Sequence, residues 1–402
     1  MKYIVVLGDG MADYPLETYD NKTPLELAKK PIMDKLAAQG LLGLVKTVPE
    51  AFKPGSDVAN LSVMGYDPHQ YYTGRSPLEA ASIGVPLRDG DITFRCNLVT
   101  LSEEEPYEEK TMVDYSADEI STEEAHALIA DLAKEFDTDV IHFYGGIAYR
   151  HLMVWNGVPL DFELTPPHDI TLRKVTEYLP KGPNSSVIFD DMKRSFEILN
   201  HHPINEKRRA RGLRPANSIW IWGEGEKPHL DPFQDKFGLH GSVVSAVDLV
   251  KGIGVCADMD VIEVAGATGN IDTNFEGKAQ AAIDALKHGS DFVYLHFEAP
   301  DECGHRNETE NKIKSIEYLD SRVLAYLLPE LDKLEEDYSI LVLPDHPTPL
   351  SLRTHTRDAV PFLIYRSNDV RQNTWTYSEK EAAKTGVLVE PGHQLMQLFL
   401  QK

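Results

Sequence analysis

Four short apolar runs that end at, or begin beside, acidic and imidazole residues constrain this chain more than any other feature. Tyr3 to Leu7 is β-branched and runs into Gly8-Asp9-Gly10, and Phe292 to Phe297 runs into a segment holding Asp301 and His305. Ser339 to Leu343 runs into Pro344-Asp345-His346, while His355 lies just before Val360 to Tyr365. Apolar runs this short read as strands buried on both faces. Helical patterns come between them. Thr23 to Gln39 is predicted as one helix capped by Thr23 and stopped at Gly40, and Gly277 to His288 as another. Ser242 to Val250 is also predicted helical, and Asp260 to Ala265 reads as a strand. Ile313, Ile316, Leu319, Val323, Leu327, Leu331 and Leu334 recur at helical spacing, with a kink or break expected at Pro329. The alternation is that of an α/β protein, in which ligands bind beyond the carboxyl ends of the strands. Asp9 on its own reads equally well as a ligand or as a turn residue.

A length of 402 residues is long for a single core, so two domains are expected. The boundaries are drawn at 1–90 with 236–402 for the core and 91–235 for an insertion. Within the insertion, 92–100 and the runs Val140 to Tyr144 and His151 to Trp155 read as strands, as does PANSIWIWGEGEKP up to its glycines. Ser121-Thr122-Glu123-Glu124 has the form of a capping box for a helix reaching Phe136. Further helices are predicted over Thr171 to Leu179 and Asp190 to Asn200, and the acidic LSEEEPYEEK as an exposed loop or hairpin. The cluster Lys207, Arg208, Arg209, Arg211 and Arg214 reads as a solvated helix face, with anion binding the sharper alternative.

A formal charge of −24 argues against nucleic-acid and anionic-membrane partners, both of which reward positive charge. Such a chain still takes a small anionic substrate where cations reverse the sign locally. The three cysteines, Cys96, Cys256 and Cys303, are far apart and form no CxxC, which fits a reducing compartment. The apolar run at the N-terminus is too short for a signal peptide, and no apolar run reaches about 18 residues. A cytoplasmic location is expected.

Pro54-Gly55-Ser56-Asp57-Val58-Ala59-Asn60 reads as a serine on a tight turn at the head of a helix, where free N–H groups favour an incoming phosphate. Alone it is weak, because Ser, Asp and Asn are ordinary cap residues. The strand-end residues add weight. Carboxylate oxygen and imidazole nitrogen are ligands that Mn and Zn accept. Asp301 and His305 are four apart, so one helical turn puts them on one side. The adjacent Asp345 and His346 can address two cations, and a pair of cations clamps attacking and phosphoryl oxygens.

GDGMADYP, PGSDVANLSVMGYDP, YRHLMVW, TPPHDI, PANSIWIWG, DTNFEGKA, APDECGH, LPDH and THTRDAVPFLIY occur in this order. Together they resemble the 2,3-bisphosphoglycerate-independent phosphoglycerate mutases of the archaeal type, a branch of the alkaline phosphatase superfamily. The resemblance implies an α/β fold with an alkaline-phosphatase-like core sheet flanked by helices, and a smaller inserted α+β domain that grips substrate. By position, Ser56 matches the phosphorylated nucleophile. Asp9, Ser56, Asp345 and His346 match ligands of one metal, and Asp301, His305 and His355 those of the other. His393 is an alternative third ligand, but THTRDAVPF carries the family pattern and favours His355. Arg150, His151 and Asp169 match substrate-facing residues, with Asp169 the candidate base and His151 its alternate. Lys278 resembles a phosphate-contacting lysine.

The cofactors so implied are two divalent metal ions, Mn foremost with Zn, Mg and Co open, and no 2,3-bisphosphoglycerate. The activity implied is interconversion of 3-phosphoglycerate and 2-phosphoglycerate through a phosphoserine, a glycolytic isomerase reaction on a small phosphorylated substrate. Bacterial members of this branch proposed as homoserine kinases are resembled too, and a metal-dependent phosphomonoesterase is a third reading. No GxxxxGK[ST] loop supports a P-loop nucleotide site. Asn60 stands where longer relatives carry His, and DHPTP departs from the usual Asp-His-Ser/Gly. Oligomeric state is left open by the sequence.

Overall fold

The computed structural model describes residues 1–104 and 106–401. Glu105, within the predicted acidic loop, lies outside the described residues. The chain divides into two compact units, Met1–Tyr72 with His229–Lys402, and Thr73–Pro228. The expected boundaries at 90/91 and 235/236 therefore move toward the N-terminus. Helix Ser76–Ser82 explains the first shift, because Ala80 packs with Val85, Leu152 and Val154 of the insertion and Ser76 Oγ donates to the Thr93 carbonyl at 3.0 Å. The second follows from Phe233, whose ring stacks on Phe292 of the core sheet.

The larger unit is α/β, built on an eight-stranded sheet. Its strands run in the order Leu388–Val389, Leu41–Val45, Val360–Arg366, Tyr338–Leu343, Lys2–Gly8, Phe292–Phe297, Gly241–Val244 and Asp260–Ile262. All neighbours pair in parallel except Val360–Arg366, which is antiparallel to both of its partners. Register fixes where the strand ends fall. Leu7 lies opposite His296 on one side and Leu343 on the other, so the segments after all three strands emerge at one edge. The antiparallel strand starts at that edge, with Leu363 opposite Val342, and so the segment preceding Val360 arrives there as well. Ile4, Val6, Val293, Leu295, Ile340 and Val342 pack against Ala279, Ile283, Ile316, Val323, Leu327 and Leu331 of the covering helices. Fully burying a side chain of this kind stabilises by about 1.5–3 kcal/mol, which opposes any slip of the register.

Several local predictions change. Thr23 to Gln39 is two helices, Pro24–Leu27 and Pro31–Gln39, because Pro31 disfavours helical geometry at Lys30. The orphan amides of Ile32 and Met33 are taken by the buried Asp320 carboxylate, at 3.3 and 2.7 Å. Asp320 sits in a π-helical turn, Leu319–Leu324, and the irregularity of the long helix falls there and not at Pro329, which lies inside Ala325–Asp332. Ser242 to Val250 is not one helix. Gly241–Val244 is a strand paired with Phe292 to Leu295, and the helix is Asp248–Cys256. Tertiary pairing overrides the local periodicity.

The smaller unit is α+β. Strand Asp91–Leu101, buried throughout, pairs antiparallel with Met112–Asp114, Arg150–Asn156 and Ser218–Glu226, and Ile141–Ile147 extends the sheet. Helices Thr122–Phe136 and Ser185–Leu199 contribute Leu128, Leu132, Ile188 and Met192 to its core. The helix predicted over Thr171 to Leu179 is replaced by 3-10 turns at Pro167–Ile170 and Thr176–Tyr178. Its amides are committed elsewhere, Leu172 to Met112 and Val175 to Lys110. Among the described residues no helix is long and apolar enough to cross a membrane.

Candidate active site

The shared sheet edge brings seven predicted residues together. Asp9 follows Lys2–Gly8, Asp345 and His346 follow Tyr338–Leu343, and His355 precedes Val360–Arg366. Asp301 and His305 lie one turn apart on helix Ala299–Arg306. Ser56 is the first residue of helix Ser56–Val63 and is half-buried. Its Oγ stands 3.1 Å from His346 Nε2. That nitrogen lies 3.5 Å from Asp9 Oδ1 and 3.4 Å from Asp345 Oδ2. His305 Nε2 is 3.2 Å from Asp301 Oδ2 and 2.9 Å from His355 Nε2, which is itself 3.4 Å from Asp301 Oδ1.

Two groups of side chains offer ligand atoms within 4.8 Å of one another, Asp9 with Asp345 and His346, and Asp301 with His346 and His355. His346 belongs to both, whereas the family pattern gives it to the first alone. The site also fits cations on its own electrostatics. Burial, then Asp345, Asp301 and Glu298, push the Asp9 carboxyl well above its ordinary range. Asp9 Oδ1 is buried with no hydrogen-bond partner among the described residues. Three crowded carboxylates and an orphaned oxygen are the donor set a hard or borderline cation satisfies. Burial opposes ionisation of Asp301, but hydrogen bonds from His305 and His355 outweigh it and hold that carboxyl low. Asp301 in turn raises His305 to about 9.

A supporting layer surrounds these groups, of which the sequence reading noted only Asn60 and the DHPTP stretch, and those as departures from the family pattern. His296 Nε2 meets Asp9 Oδ2 at 2.9 Å, and its Nδ1 meets Ser245 Oγ at 3.1 Å. Asn60 donates to Asp345 Oδ2 at 2.9 Å and to the Ser56 carbonyl at 2.8 Å, and accepts from the Tyr294 hydroxyl at 2.7 Å. Gly10 and His346 amides hold Asp345 Oδ1 at 3.1 and 2.9 Å. The Thr348 hydroxyl donates to Asp301 Oδ1. The only local signal for His296 is a lone imidazole in an otherwise apolar strand.

Lys278 lies on helix Phe275–Lys287, buried, with Nζ donating to the His296 carbonyl at 2.8 Å. Burial brings it down to about 8. Its ammonium is bonded to the main chain behind Asp9. His393 is not among the seven, and pairs with Asp67 at 3.8 Å.

In the inserted unit, Arg150 and Asp169 are exposed, and His151 is buried. His151 Nδ1 accepts from the Gly146 amide at 3.0 Å, so the neutral ring carries its proton on Nε2, which has no partner. Burial lowers His151 to about 3. The acceptor nitrogen of His151 is occupied in this arrangement, whereas the Asp169 side chain is exposed. Asp169 lies 3.6 Å from His168. The four arginines of the cationic cluster are held in ion pairs, Arg208 and Arg211 with Glu124, Arg209 with Glu103 and Glu206, and Arg214 with Asp114 and Asp118. Arg75 pairs with Glu79 at 2.9 Å.

The fold has solved counterparts. A protein structure from Pyrococcus horikoshii superposes with a TM-score of 0.81 at 32% identity, covering 99% of this chain and 96% of the other. The cofactor-independent phosphoglycerate mutase of Thermoplasma acidophilum shares the fold, with a TM-score of 0.66 at 24% identity over 100% and 99% of the two chains. The class is therefore an α/β core with an inserted α+β unit. The family model described as 2,3-bisphosphoglycerate-independent phosphoglycerate mutase matches residues 37–205. The protein of that name from Methanosarcina acetivorans is 51% identical over 387 residues, 96% of each chain. The chain belongs to the 2,3-bisphosphoglycerate-independent phosphoglycerate mutase family.

Proposed function

We propose that this protein interconverts 3-phosphoglycerate and 2-phosphoglycerate without added 2,3-bisphosphoglycerate, through a phosphoserine on Ser56. The observation that carries the reading is the Ser56 hydroxyl, at a helix N-terminus and 3.1 Å from His346, beside two convergent sets of metal-type ligands. Asp9, Ser56, Asp345 and His346 would hold one divalent cation, and Asp301, His305 and His355 a second, manganese foremost. When bound, such cations supply charge that lowers the serine pKa and neutralises phosphoryl oxygens.

Ser56 Oγ attacks phosphorus as the bond from phosphorus to the substrate 3-oxygen breaks, and the serine proton ends on the departing 3-oxygen, leaving glycerate and phosphoserine. A transferred phosphoryl group on Ser56 would lie at the head of helix Ser56–Val63, where a helix N-terminus favours negative charge. The glycerate 2-oxygen then attacks phosphoserine as Asp169 takes its proton, and the bond from phosphorus to Ser56 Oγ breaks. Oγ takes up a proton to restore free Ser56, balancing the one that Asp169 later returns to solvent. Arg150 is the proposed partner of the glycerate carboxylate, which guanidinium grips bidentately.

Turnover of metal-replete protein is followed on 3-phosphoglycerate alone and, separately, on ATP with homoserine. The reading expects 2-phosphoglycerate, a Ser56-containing phosphopeptide in quenched reactions, and loss of both in Ser56→Ala. Phosphohomoserine formation, or release of inorganic phosphate alone, would replace the substrate assignment with a kinase or a hydrolase.

A further inference from the structure

Thr348 is fully buried beside the candidate metal ligands, and its hydroxyl lies between two of them. Oγ1 donates to Asp301 Oδ1 and is 3.3 Å from His346 Nδ1. A hydroxyl has one proton, and here it goes to a carboxylate that has none to return. Oγ1 can therefore engage His346 only as an acceptor, which puts the imidazole proton on Nδ1. Nε2 is left with its lone pair directed at Asp9, Asp345 and Ser56. A single hydroxyl thus sets the tautomer of His346 and the orientation of Asp301.

The surroundings hold this hydroxyl in place. The Thr348 amide donates to Ala12 at 3.2 Å, and its carbonyl accepts from the buried Lys312 ammonium at 2.8 Å. Two glycines give it room. A Cβ at Gly304 would meet the Thr348 carbonyl oxygen at 2.5 Å and Cγ2 at 2.8 Å. A Cβ at Gly10, which has a φ of 59°, would meet Thr348 Oγ1 and come within 2.8 Å of Asp301 Cα.

We infer that Thr348 is a positioning residue that couples the two proposed metal positions, through His346 on one side and Asp301 on the other. The inference rests on the two-cation reading of the site. Partners that orient metal ligands typically contribute 10–100-fold in metal affinity, so Thr348→Val should weaken Mn2+ binding by about that factor. Because the hydroxyl serves ligands of both sets, both positions should weaken together. Thr348→Ser keeps donor and acceptor and should bind within about threefold of the parent.

Mn2+ titration is followed by electron paramagnetic resonance, reading free ion, bound stoichiometry and the spin-coupled pair. Thermal unfolding of the metal-free variants runs alongside, and Thr348→Ala stands in if the valine variant does not fold. The expected result is loss of the coupled-pair signal at stoichiometric Mn2+ in Thr348→Val or Thr348→Ala, and its retention in Thr348→Ser. Parent-like binding by the valine or alanine variant, or weakening of one position alone, overturns the coupling. Parent protein that binds fewer than two ions overturns the two-cation reading beneath it. Two ions bound without mutase turnover would instead overturn the substrate assignment and leave the role of Thr348 standing.

Discussion

Lys312→Met should destabilise the larger unit more than any surface charge change. Lys312 and Asp13 are both fully buried and paired at 2.7 Å, and the ammonium also bonds the carbonyls of Thr348 at 2.8 Å and Ala12 at 3.4 Å. Asp13 has other partners, the amides of Tyr14 at 2.7 Å and Leu350 at 3.2 Å, but no second cation is bonded to it among the described residues. Methionine fills the lysine's volume, so the loss is mainly electrostatic. Breaking one side of such a pair costs about 3–5 kcal/mol, because the remaining charge stays buried. For a unit of this size that is roughly 6–20 °C in Tm. Three of the four tryptophans, Trp155, Trp220 and Trp222, lie in the smaller unit, so fluorescence reports the wrong region. Hydrogen exchange of the amides in Lys2–Gly8 and Tyr338–Leu343, on metal-free protein, reads the unit concerned. Adding Asp13→Asn removes the stranded charge and should recover part of the loss. A single-variant effect under about 1 kcal/mol, or a double variant no more stable than Lys312→Met, would refute the reasoning.

Burial raises Glu379 from 4.5 to about 7, beside Thr23, Asp13 and Lys312. Folded protein then binds more protons than unfolded between those values, so stability falls as pH rises through that window, by at most on the order of 3 kcal/mol. Glu379→Gln should flatten this slope in urea titrations between pH 4.5 and 8, and an unchanged slope would reject the assignment. Gly304→Ala places a Cβ 2.5 Å from the Thr348 carbonyl oxygen, and overpacking of that kind costs about 1–3 kcal/mol, measurable as a lower Tm. Asn60→Ala leaves Asp345 Oδ2 and the Tyr294 hydroxyl short of a partner, and should weaken Mn2+ binding about 10–100-fold by titration.

The ends of the strands were readable because a parallel buried strand is an uninterrupted apolar run, and the candidate site residues sit where the run stops. Asp9, Asp301, Asp345 and His346 all follow such stops. Where local pattern and tertiary pairing disagree, the sequence misleads. Ser242 to Val250 was expected to be one helix, and the pairing of Gly241–Val244 with Phe292 to Leu295 makes its first part a strand. Leu172 and Val175 look helical until their amides are seen bonded to Met112 and Lys110. The insertion was drawn from residue 91, whereas Ser76–Ser82, which follows the Ser56 segment in sequence, packs on Leu152 and Val154. His151 was an alternate base by resemblance alone, and the amide of Gly146 that occupies its Nδ1 is not legible from its own segment.

The supports of the site were harder to read than its ligands for a physical reason. A ligand lies at the end of its own strand, so its position follows from its own segment. A support is defined by what lies across the sheet. His296 reaches Asp9 because the parallel register sets it opposite Leu7, two residues before the carboxylate it holds. Asn60 reaches Asp345 by lying one turn along the helix that begins at Ser56, so Ser56 and this support share one rigid element. Each support binds a carboxylate oxygen and restricts how that carboxylate can turn. On Asp9 the consequence is plainest, since His296 occupies Oδ2 and Oδ1 is left buried without a partner. An oxygen without a proton donor in a buried, acid-crowded pocket is costly unless a cation shares it. The pattern of what is already bonded therefore argues for where positive charge belongs more strongly than the presence of aspartates and histidines alone.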